Sequence, residues 1–184
     1  IISDVLTRDD RGTKSDRLSD KTISELTAAA IAMSKNKTGA LIVLEQDVAL
    51  GEYESTGISI DAVVTKQLVV NIFEHNTPLH DGAVIVRNNR IVSATCYLPL
   101  TNQHDLNKEL GTRHRAAIGI SEVSDSMTIV VSEENGLISV AQGGNLIRNL
   151  DAEGLRKQLE SLRVRDVETR RSRNRRRGGK KREK

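Results

Sequence analysis

Three short apolar runs constrain the fold of this chain more than any other feature. They are "ALIVL" from Ala40, "AVIV" from Ala83 and "TIVV" from Thr128, and aliphatic or β-branched side chains dominate all three. Continuous apolar runs of this length predict strands that are buried on both faces, because a half-exposed strand alternates apolar and polar side chains. A sheet built from such strands needs helices on both sides.

Segments with helical spacing separate the runs and supply those two layers. The first is predicted to begin at a Ser19 or Asp20 cap and to stop at Gly39, with apolar positions three or four residues apart at Ile23, Leu26, Ala30 and Met33. A second helix is predicted within "SIDAVVTKQLVVNIFEHN", from the apolar residues Val64, Leu68, Val69, Ile72 and Phe73. A third begins at a Thr112 cap, and "DAEGLRKQLESL" forms a last helix capped by Asp151.

Two turn signals join strands into hairpins. Asn88-Asn89 separates the first of these strand pairs, and Asn135-Gly136 lies between "MTIVV" and "LISVA". Strands interleaved with helices, together with two hairpins, predict an α/β (mixed α+β) fold, in which a central mixed β-sheet is flanked by helices on both faces.

Length and charge predict one folded domain between two charged ends. The 184 residues are 37% hydrophobic, which suits a single core. Residues 163–184 hold 12 Lys and Arg against 3 Asp and Glu, a net charge of +9, which leaves −6 for residues 1–162. We therefore expect a flexible lead-in over 1–18, a folded domain over 19–162 and a disordered basic tail over 163–184.

The single cysteine and the absence of long apolar runs indicate the compartment. Cys96 has no partner for an internal disulfide, which fits a reducing compartment, and its apolar surroundings predict a packing role. No apolar run approaches the roughly 18 residues of a membrane span and no signal peptide is visible, so we expect a soluble chain. Because the sequence starts with Ile1, we also expect a fragment of a longer protein.

A histidine, an aspartate and a glycine stand together at the entry of the first hairpin, in "LHDGA" from Leu79. A carboxylate at the start of a buried strand is costly unless it is hydrogen-bonded, paired or bound to a metal, so we expect a partner for Asp81. Taken alone, the segment is also typical of an ordinary Asp-Gly turn.

The segment "GTRHRAAIGISE" places Arg113, His114 and Arg115 just behind Thr112 at a predicted helix start. Free backbone N–H groups and the helix dipole favour an anion there, and two guanidinium groups suit a polyphosphate. The alternative is an exposed cationic turn that pairs with the acidic body of the chain.

The acidic pair Glu133-Glu134 lies beside the second hairpin turn, where such pairs are often only solvated. Together with His80 and Asp81, either glutamate makes a nitrogen and oxygen set suited to Mn²⁺ or Mg²⁺, with phosphate oxygens completing the coordination shell. Tyr97 offers a ring face for adenine, with a core tyrosine as the alternative.

These residues together form a pattern that closely resembles the diadenylate cyclase (DAC) domain. Asp81-Gly82-Ala83 is followed about thirty residues later by Arg113-His114-Arg115, with "GALIVLE" before and "SEENG" after them. The resemblance runs from about Ser19 to Leu162 and is closest to the membrane-anchored CdaA/DacA branch, here as a catalytic domain without its transmembrane segment. It implies a mixed sheet with helices on both sides, and the condensation of two ATP molecules into cyclic di-AMP with release of two pyrophosphates.

The resemblance also implies a role for each motif residue. The implied catalytic residues are Asp81, Gly82, Ala83, Arg113, His114 and Arg115. The implied metal ligands, for Mn²⁺ or Mg²⁺ with Co²⁺ as a further candidate, are His80, Asp81, Glu133 and Glu134. The implied ATP-binding residues are Leu41, Asp81, Gly82, Ala83, Tyr97, Leu98, Gly111, Thr112, Arg113, His114, Arg115, Ser132 and Glu134.

Partners and location follow from the same resemblance. It implies a face-to-face homodimer that holds one ATP in each copy, a membrane regulator and phosphoglucosamine mutase as protein partners, and a parent protein at the cytoplasmic face of the cell membrane. A domain that binds ATP or a cyclic dinucleotide without turnover is the first rival. A nucleic-acid binder is the second, suggested by the basic tail, but the acidic body and only three aromatic residues argue against specific nucleic-acid binding. The tail is otherwise a solvated spacer or a segment attracted to anionic lipid.

Overall fold

A mixed sheet forms the centre of the protein in a computed structural model, which describes residues 18–103 and 110–163. Within these ranges the strands are β1 (Ala40–Leu44), β2 (Ile58–Val63), β3 (Ala83–Arg87), β4 (Arg90–Cys96), β5 (Met127–Val131), β6 (Ile138–Gln142) and β7 (Asn145–Ile147). They lie in the order β2-β4-β3-β1-β5-β6-β7. β1 pairs parallel with β3, and the other neighbours are antiparallel.

Helices cover both faces of this sheet. They are α1 (Asp20–Lys35), α2 (Gly51–Glu54), α3 (Lys66–Ile72), α4 (Thr112–Val123) and α5 over 152–163. Apolar residues of α1, α3 and α5 share one buried cluster with the sheet. Apolar residues of α4 and Leu50, which caps α2, belong to a second cluster on the opposite face. The predicted α/β class and the predicted layers are confirmed. No helix within the described ranges combines the length and apolar character that a membrane span requires.

The first helix begins as predicted and ends differently. Ser19 caps α1, because its side chain accepts a hydrogen bond from the Thr22 N–H at 3.1 Å. The helix ends at Lys35, and Lys37 then adopts a left-handed φ of 53°, so the reversal occurs before Gly39. Gly39 is instead required for space, because a Cβ there would lie 2.9 Å from Cζ of Arg113.

The helix predicted within "SIDAVVTKQLVVNIFEHN" is present but begins later than Val64, and a strand that was not predicted precedes it. Ile58–Val63 is β2, an edge strand paired with β4, and α3 begins only at Lys66 behind a Thr65 cap that accepts a hydrogen bond from Leu68 N–H at 3.2 Å. Val64 is buried but precedes the helix. α2 and β7 were not predicted, because elements of four and three residues are too short to show a period.

The two hairpins also differ in their turns. Asn88 and Asn89 both have positive φ, 48° and 67°, as the predicted tight turn requires. The second hairpin is not closed at Asn135-Gly136 alone, because β5 and β6 pair only as far as Val131 with Ile138 and residues 132–137 form a longer loop. That loop is anchored on α1: Ser34 Oγ donates a hydrogen bond to the carbonyl of Gly136 at 2.6 Å.

The predicted ends of the domain and of two helices can be compared with the structure. Leu18 is buried in the core, and residue 163 is still part of α5. Asp151 caps α5, with Oδ1 accepting from the Gly154 N–H at 2.7 Å. The cap of α4 is Gly111 without a side-chain hydrogen bond, so Thr112 is the first helical residue rather than the predicted cap. Residues 1–17 and 164–184, which are the rest of the predicted lead-in (1–18) and tail (163–184), lie outside the described residues.

Candidate active site

A cavity of about 470 Å³ opens at the edge of the sheet where β1 and β3 begin and where β4 and β5 end. Pockets for small-molecule ligands usually span about 300–1,000 Å³. Segments that are far apart in sequence supply its lining: Leu41, Asp81, Gly82, Cys96, Tyr97, Leu98, Leu100, Gly111, Thr112, Arg113, His114, Ala116, Val131, Ser132, Glu133 and Glu134. The "DGA" and "TRHR" segments therefore meet at one cavity.

Asp81 presents a free carboxylate to this cavity. The residue is exposed, and no hydrogen bond or ion pair joins it to any other residue within 18–103 and 110–163. The side chain is exposed and burial begins only at Ala83, so the expectation of a carboxylate buried at the strand entry is wrong, whereas its metal partner stays a prediction. The carboxylate is available to a ligand.

The start of α4 forms a second wall. Gly111 provides no side-chain cap. The N–H groups in the first turn of a helix have no partner within the helix and favour an anion, so this end of the cavity suits one. The helix has 12 residues, so its dipole adds to the positive potential at this end.

Arg113 reaches across to the loop that follows β5. Its Nη1 lies 2.8 Å from Oε2 of Glu133, and the two side chains are 24% and 60% exposed. A Cβ on Gly39 would lie 3.1 Å from the same Glu133 oxygen, so the absence of a side chain at Gly39 makes room for this ion pair. The cationic group of the helix start is thus held by a carboxylate that was predicted to bind a metal.

His114 is buried against the cavity wall and has the electrostatics of a neutral imidazole. Burial is the main cause that lowers its pKa, the positive charge of Arg148 lowers it further, and Glu134 opposes both. The ring is therefore uncharged near neutral pH and can donate one hydrogen bond and accept another.

The predicted metal ligands do not assemble into one protein site. His80 lines an adjoining cavity of about 510 Å³, together with His75, Arg113 and Glu133, whereas Asp81 and Glu134 line the first cavity. His80 Nδ1 lies 2.6 Å from the carbonyl oxygen of Thr77, and its ring contacts that of His75 edge-on at 5.5 Å between centroids. Over residues 18–103 and 110–163, no group of three or more His, Cys, Asp or Glu side chains is arranged to hold a metal.

Two other predicted residues lie away from the cavity. Ala83 is fully buried behind the wall, and Arg115 is half-buried but does not line it. The remaining predicted nucleotide contacts all do, including Leu41, Leu98 and Ser132. Tyr97 is 75% exposed at the rim, so the alternative of a core tyrosine is wrong and its ring is accessible.

Sequence reasoning missed four lining residues: Cys96, Leu100, Ala116 and Val131. Helical spacing signals one of them, since Ala116 lies three residues after Arg113 on the same side of α4. Cys96 is 1% exposed with its Sγ 3.3 Å from Ser93 Oγ, and burial raises the pKa of its thiol. Its predicted packing role is confirmed.

Comparison with known proteins identifies relatives of this domain. The DAC family model, described as DisA bacterial checkpoint controller nucleotide-binding, matches residues 27–146. The chain is 53% identical over 150 residues to the cyclic di-AMP synthase CdaA of Bacillus subtilis, covering 82% of this chain and 55% of the relative. It is 50% identical over 148 residues to a diadenylate cyclase of Listeria monocytogenes, covering 80% and 54%. The chain thus spans about half the length of these curated relatives.

Solved structures agree with these similarities. A crystal structure of DacA from Staphylococcus aureus, a double mutant, has a TM-score of 0.75 and 45% identity and covers 77% of this chain and 94% of its own. A structure described as a hypothetical membrane spanning protein from Bacillus cereus has a TM-score of 0.68 and 48% identity, with 71% and 64% covered.

Proposed function

The chain belongs to the DAC family, and from this premise we propose that it is the catalytic domain of a diadenylate cyclase, which condenses two ATP molecules into cyclic di-AMP. In each half of the reaction, a ribose 3′-oxygen forms a bond to the α-phosphorus of the other ATP. The bond between that phosphorus and the bridging oxygen to the β-phosphate breaks, pyrophosphate leaves with the electron pair, and the hydroxyl proton is released. Both halves together close the cyclic product.

The observation that carries this proposal is the meeting of a free carboxylate and a cationic helix start in one cavity. Phosphoryl transfer is accelerated mainly by positioning and by positive charge near the phosphate oxygens. The first-turn N–H groups of α4 and the Arg113 guanidinium bind the phosphates, and the neutral His114 ring adds a hydrogen bond. Asp81 orients the attacking hydroxyl by accepting its hydrogen bond.

The donor set of the cavity fits a divalent cation that arrives with the nucleotide. Mg²⁺ and Mn²⁺ are commonly held by one or two carboxylates together with substrate phosphates rather than by a complete protein cage. Asp81 and Glu134 are the carboxylates that would hold it, whereas His80 lines the adjoining cavity and is not part of this set. When bound, the cation would neutralise phosphate charge and acidify the attacking hydroxyl.

The proposed reaction requires a second copy of the domain. The 3′-hydroxyl of one ATP cannot reach its own α-phosphate in the geometry of a link between two nucleotides, so a face-to-face homodimer supplies the partner. We place the longer parent protein at the cytoplasmic face of the membrane, which the description of the Bacillus cereus relative as membrane spanning supports. A membrane regulator and phosphoglucosamine mutase remain predicted partners of that parent.

A product assay tests the reaction directly. The chain is incubated with ATP and Mn²⁺, Mg²⁺ or Co²⁺, and cyclic di-AMP and pyrophosphate are quantified by chromatography and a coupled phosphate assay. We expect one cyclic di-AMP for every two pyrophosphates, and a specific activity that rises with protein concentration wherever the dimer is weak. ATP binding without either product would favour the rival binding domain.

Mixed variants test the two-copy mechanism. A mixture of Asp81→Asn and Arg113→Ala chains should remain well below the unmodified rate, because closing both phosphodiester links needs two intact half-sites. Rates equal to the unmodified chain in that mixture would overturn the face-to-face arrangement, as would flat specific activity at concentrations where sedimentation finds only monomer.

A further inference from the structure

Two backbone segments of the cavity wall touch each other at Gly82 and Thr95. A Cβ on Gly82 would lie 2.7 Å from the carbonyl carbon of Thr95 and 2.8 Å from its Cα, well inside ordinary van der Waals contact. Gly82 also has a φ of +103°, which side chains of L-residues rarely adopt. Both space and backbone conformation therefore require glycine at this position.

Thr95 is itself in an unusual conformation. Its φ is +57°, and a β-branched residue in the left-handed region is an outlier that persists only where the surrounding structure imposes it. Thr95 belongs to a β-bulge: Ala83 pairs with Cys96 and Ile85 with Ser93, so β4 has one residue more than β3 between these pairs.

The bulge changes which way the end of β4 faces. Residues three apart on a regular strand point to opposite faces. Ser93 and Cys96 are three apart, yet Cys96 Sγ lies 3.3 Å from Ser93 Oγ. The extra residue thus turns Cys96 toward the cavity, and the residues that follow, Tyr97 and Leu98, lie at the rim of the cavity.

We propose that Gly82 and Thr95 are positioning residues, and that their contact fixes Asp81, next to Gly82, relative to Tyr97, two residues beyond Thr95. Gly82 admits the bulge, and it acts through this contact rather than on the nucleotide. Thr95 keeps the bulge rigid, because a β-branched side chain has few rotamers and its Oγ1 is hydrogen-bonded to the carbonyl of Ala94 at 2.7 Å. The inference deepens the proposed cyclase function and rests on it for its catalytic readout.

The experiment compares Gly82→Ala, Thr95→Gly and the double variant. Cys96 is the only cysteine and is 1% exposed, so its rate of reaction with dithionitrobenzoate under native conditions reports opening at the bulge. Cyclic di-AMP formation gives kcat and KM, and thermal unfolding gives Tm. A change in kcat or in Cys96 labelling at an unchanged Tm indicates a misplaced cavity wall, whereas a large drop in Tm indicates loss of the fold.

Gly82→Ala is expected to lower kcat strongly. Its Cβ and the Thr95 backbone must separate by an appreciable part of an ångström, and misplacement of about 1 Å can cost about 100-fold in rate. We expect a kcat loss of that order, a KM within about threefold of the unmodified chain, and Cys96 labelling about tenfold faster, since local opening sets the rate. Thr95→Gly should keep Tm within roughly 4 °C, because relief of strain offsets the added freedom of the unfolded chain, while kcat falls several-fold.

Asp61→Gly is the matched control. Asp61 also has a positive φ, 48°, at the irregularity between β2 and β4, and it does not line the cavity, so Cys96 labelling and kcat should not change. In the double variant the flexible residue 95 lets β4 yield to the new Cβ, so the loss should be smaller than the product of the two single losses.

Unchanged Cys96 labelling and kcat in Thr95→Gly would overturn the proposal, and so would strictly multiplicative losses in the double variant. If Gly82→Ala does not fold, the Thr95→Gly result alone decides between these outcomes. If the unmodified chain forms no cyclic di-AMP, the proposed cyclase function fails, whereas thiol labelling still decides whether the contact holds the bulge.

Discussion

Replacing Glu133 by Gln should strengthen ATP binding when no divalent cation is present. The Glu133 carboxylate lies 2.8 Å from Nη1 of Arg113, so a nucleotide phosphate competes with it for the donors of the guanidinium. The side chains are 24% and 60% exposed, and ion pairs in such settings are worth about 0.2–1 kcal/mol after screening by water. Removing this competition should therefore lower the Kd for ATP by up to about fivefold.

Isothermal titration with ATP in EDTA at low salt measures the effect. Glu153→Gln is the control for net charge, because Glu153 forms an exposed pair with Lys157 on α5 and lies outside the cavity. In an Arg113→Ala background the gain should vanish, whereas general repulsion between Glu133 and phosphate would leave it in place. An unchanged or higher Kd for Glu133→Gln in EDTA would refute the competition.

Three further predictions follow from the described residues. Asp81→Asn should change the free energy of unfolding by less than about 0.5 kcal/mol, since the exposed carboxylate has no described partner. The same variant should lose most product formation while it still binds ATP, and near-normal turnover would exclude the role assigned to Asp81. Because burial lowers the pKa of His114, this residue takes up a proton below about pH 6.5 in the unfolded chain but not yet in the folded chain. Tm should therefore fall as the pH drops from that value toward the folded pKa. His114→Gln should reduce this dependence of Tm on pH. Thr128 Oγ1 and Ser139 Oγ are buried without a hydrogen-bond partner, so Thr128→Val and Ser139→Ala should each raise the unfolding free energy by about 1 kcal/mol in urea titrations, and a loss of stability would contradict this.

The centre of the fold could be predicted from sequence because burial on two faces leaves a direct signal. All five residues of β1 are buried. A continuous apolar run of this length favours a strand over a helix, because helices are usually longer. The edge strand β2 has no such signal. Its exposed residues include Ile58 and Val63, and its bulge at Asp61 breaks the alternation, so the segment shows neither of the patterns that predict a strand. Edge strands are recognised by their partners, which the local sequence does not contain.

Part of the arrangement of the site can be derived from the sequence. Successive residues of a helix turn by about 100°, so Arg113 and Arg115 cannot both face one cavity, and Arg113 shares its side with Ala116. That His80 and Asp81 line different cavities could not be predicted from the sequence. It depends on the conformation of the turn before β3, in which the His80 ring lies at the carbonyl of Thr77. The pairing of Arg113 with Glu133 was equally hidden, since it depends on the length of the loop after β5.

Asp81 and Tyr97 are more exposed than is usual for active-site residues, and the proposed reaction explains this exposure. An enzyme that completes its chemistry within one chain gains by burying its catalytic carboxylate, because a water-excluded site strengthens every electrostatic interaction. In the proposed reaction the attacking hydroxyl belongs to a nucleotide held by another copy, which requires the carboxylate to lie where that copy can approach. On this proposal, water is excluded from the site when the two faces meet. The proposed mechanism therefore predicts that dilution lowers the specific activity and that any factor that brings two copies together raises it.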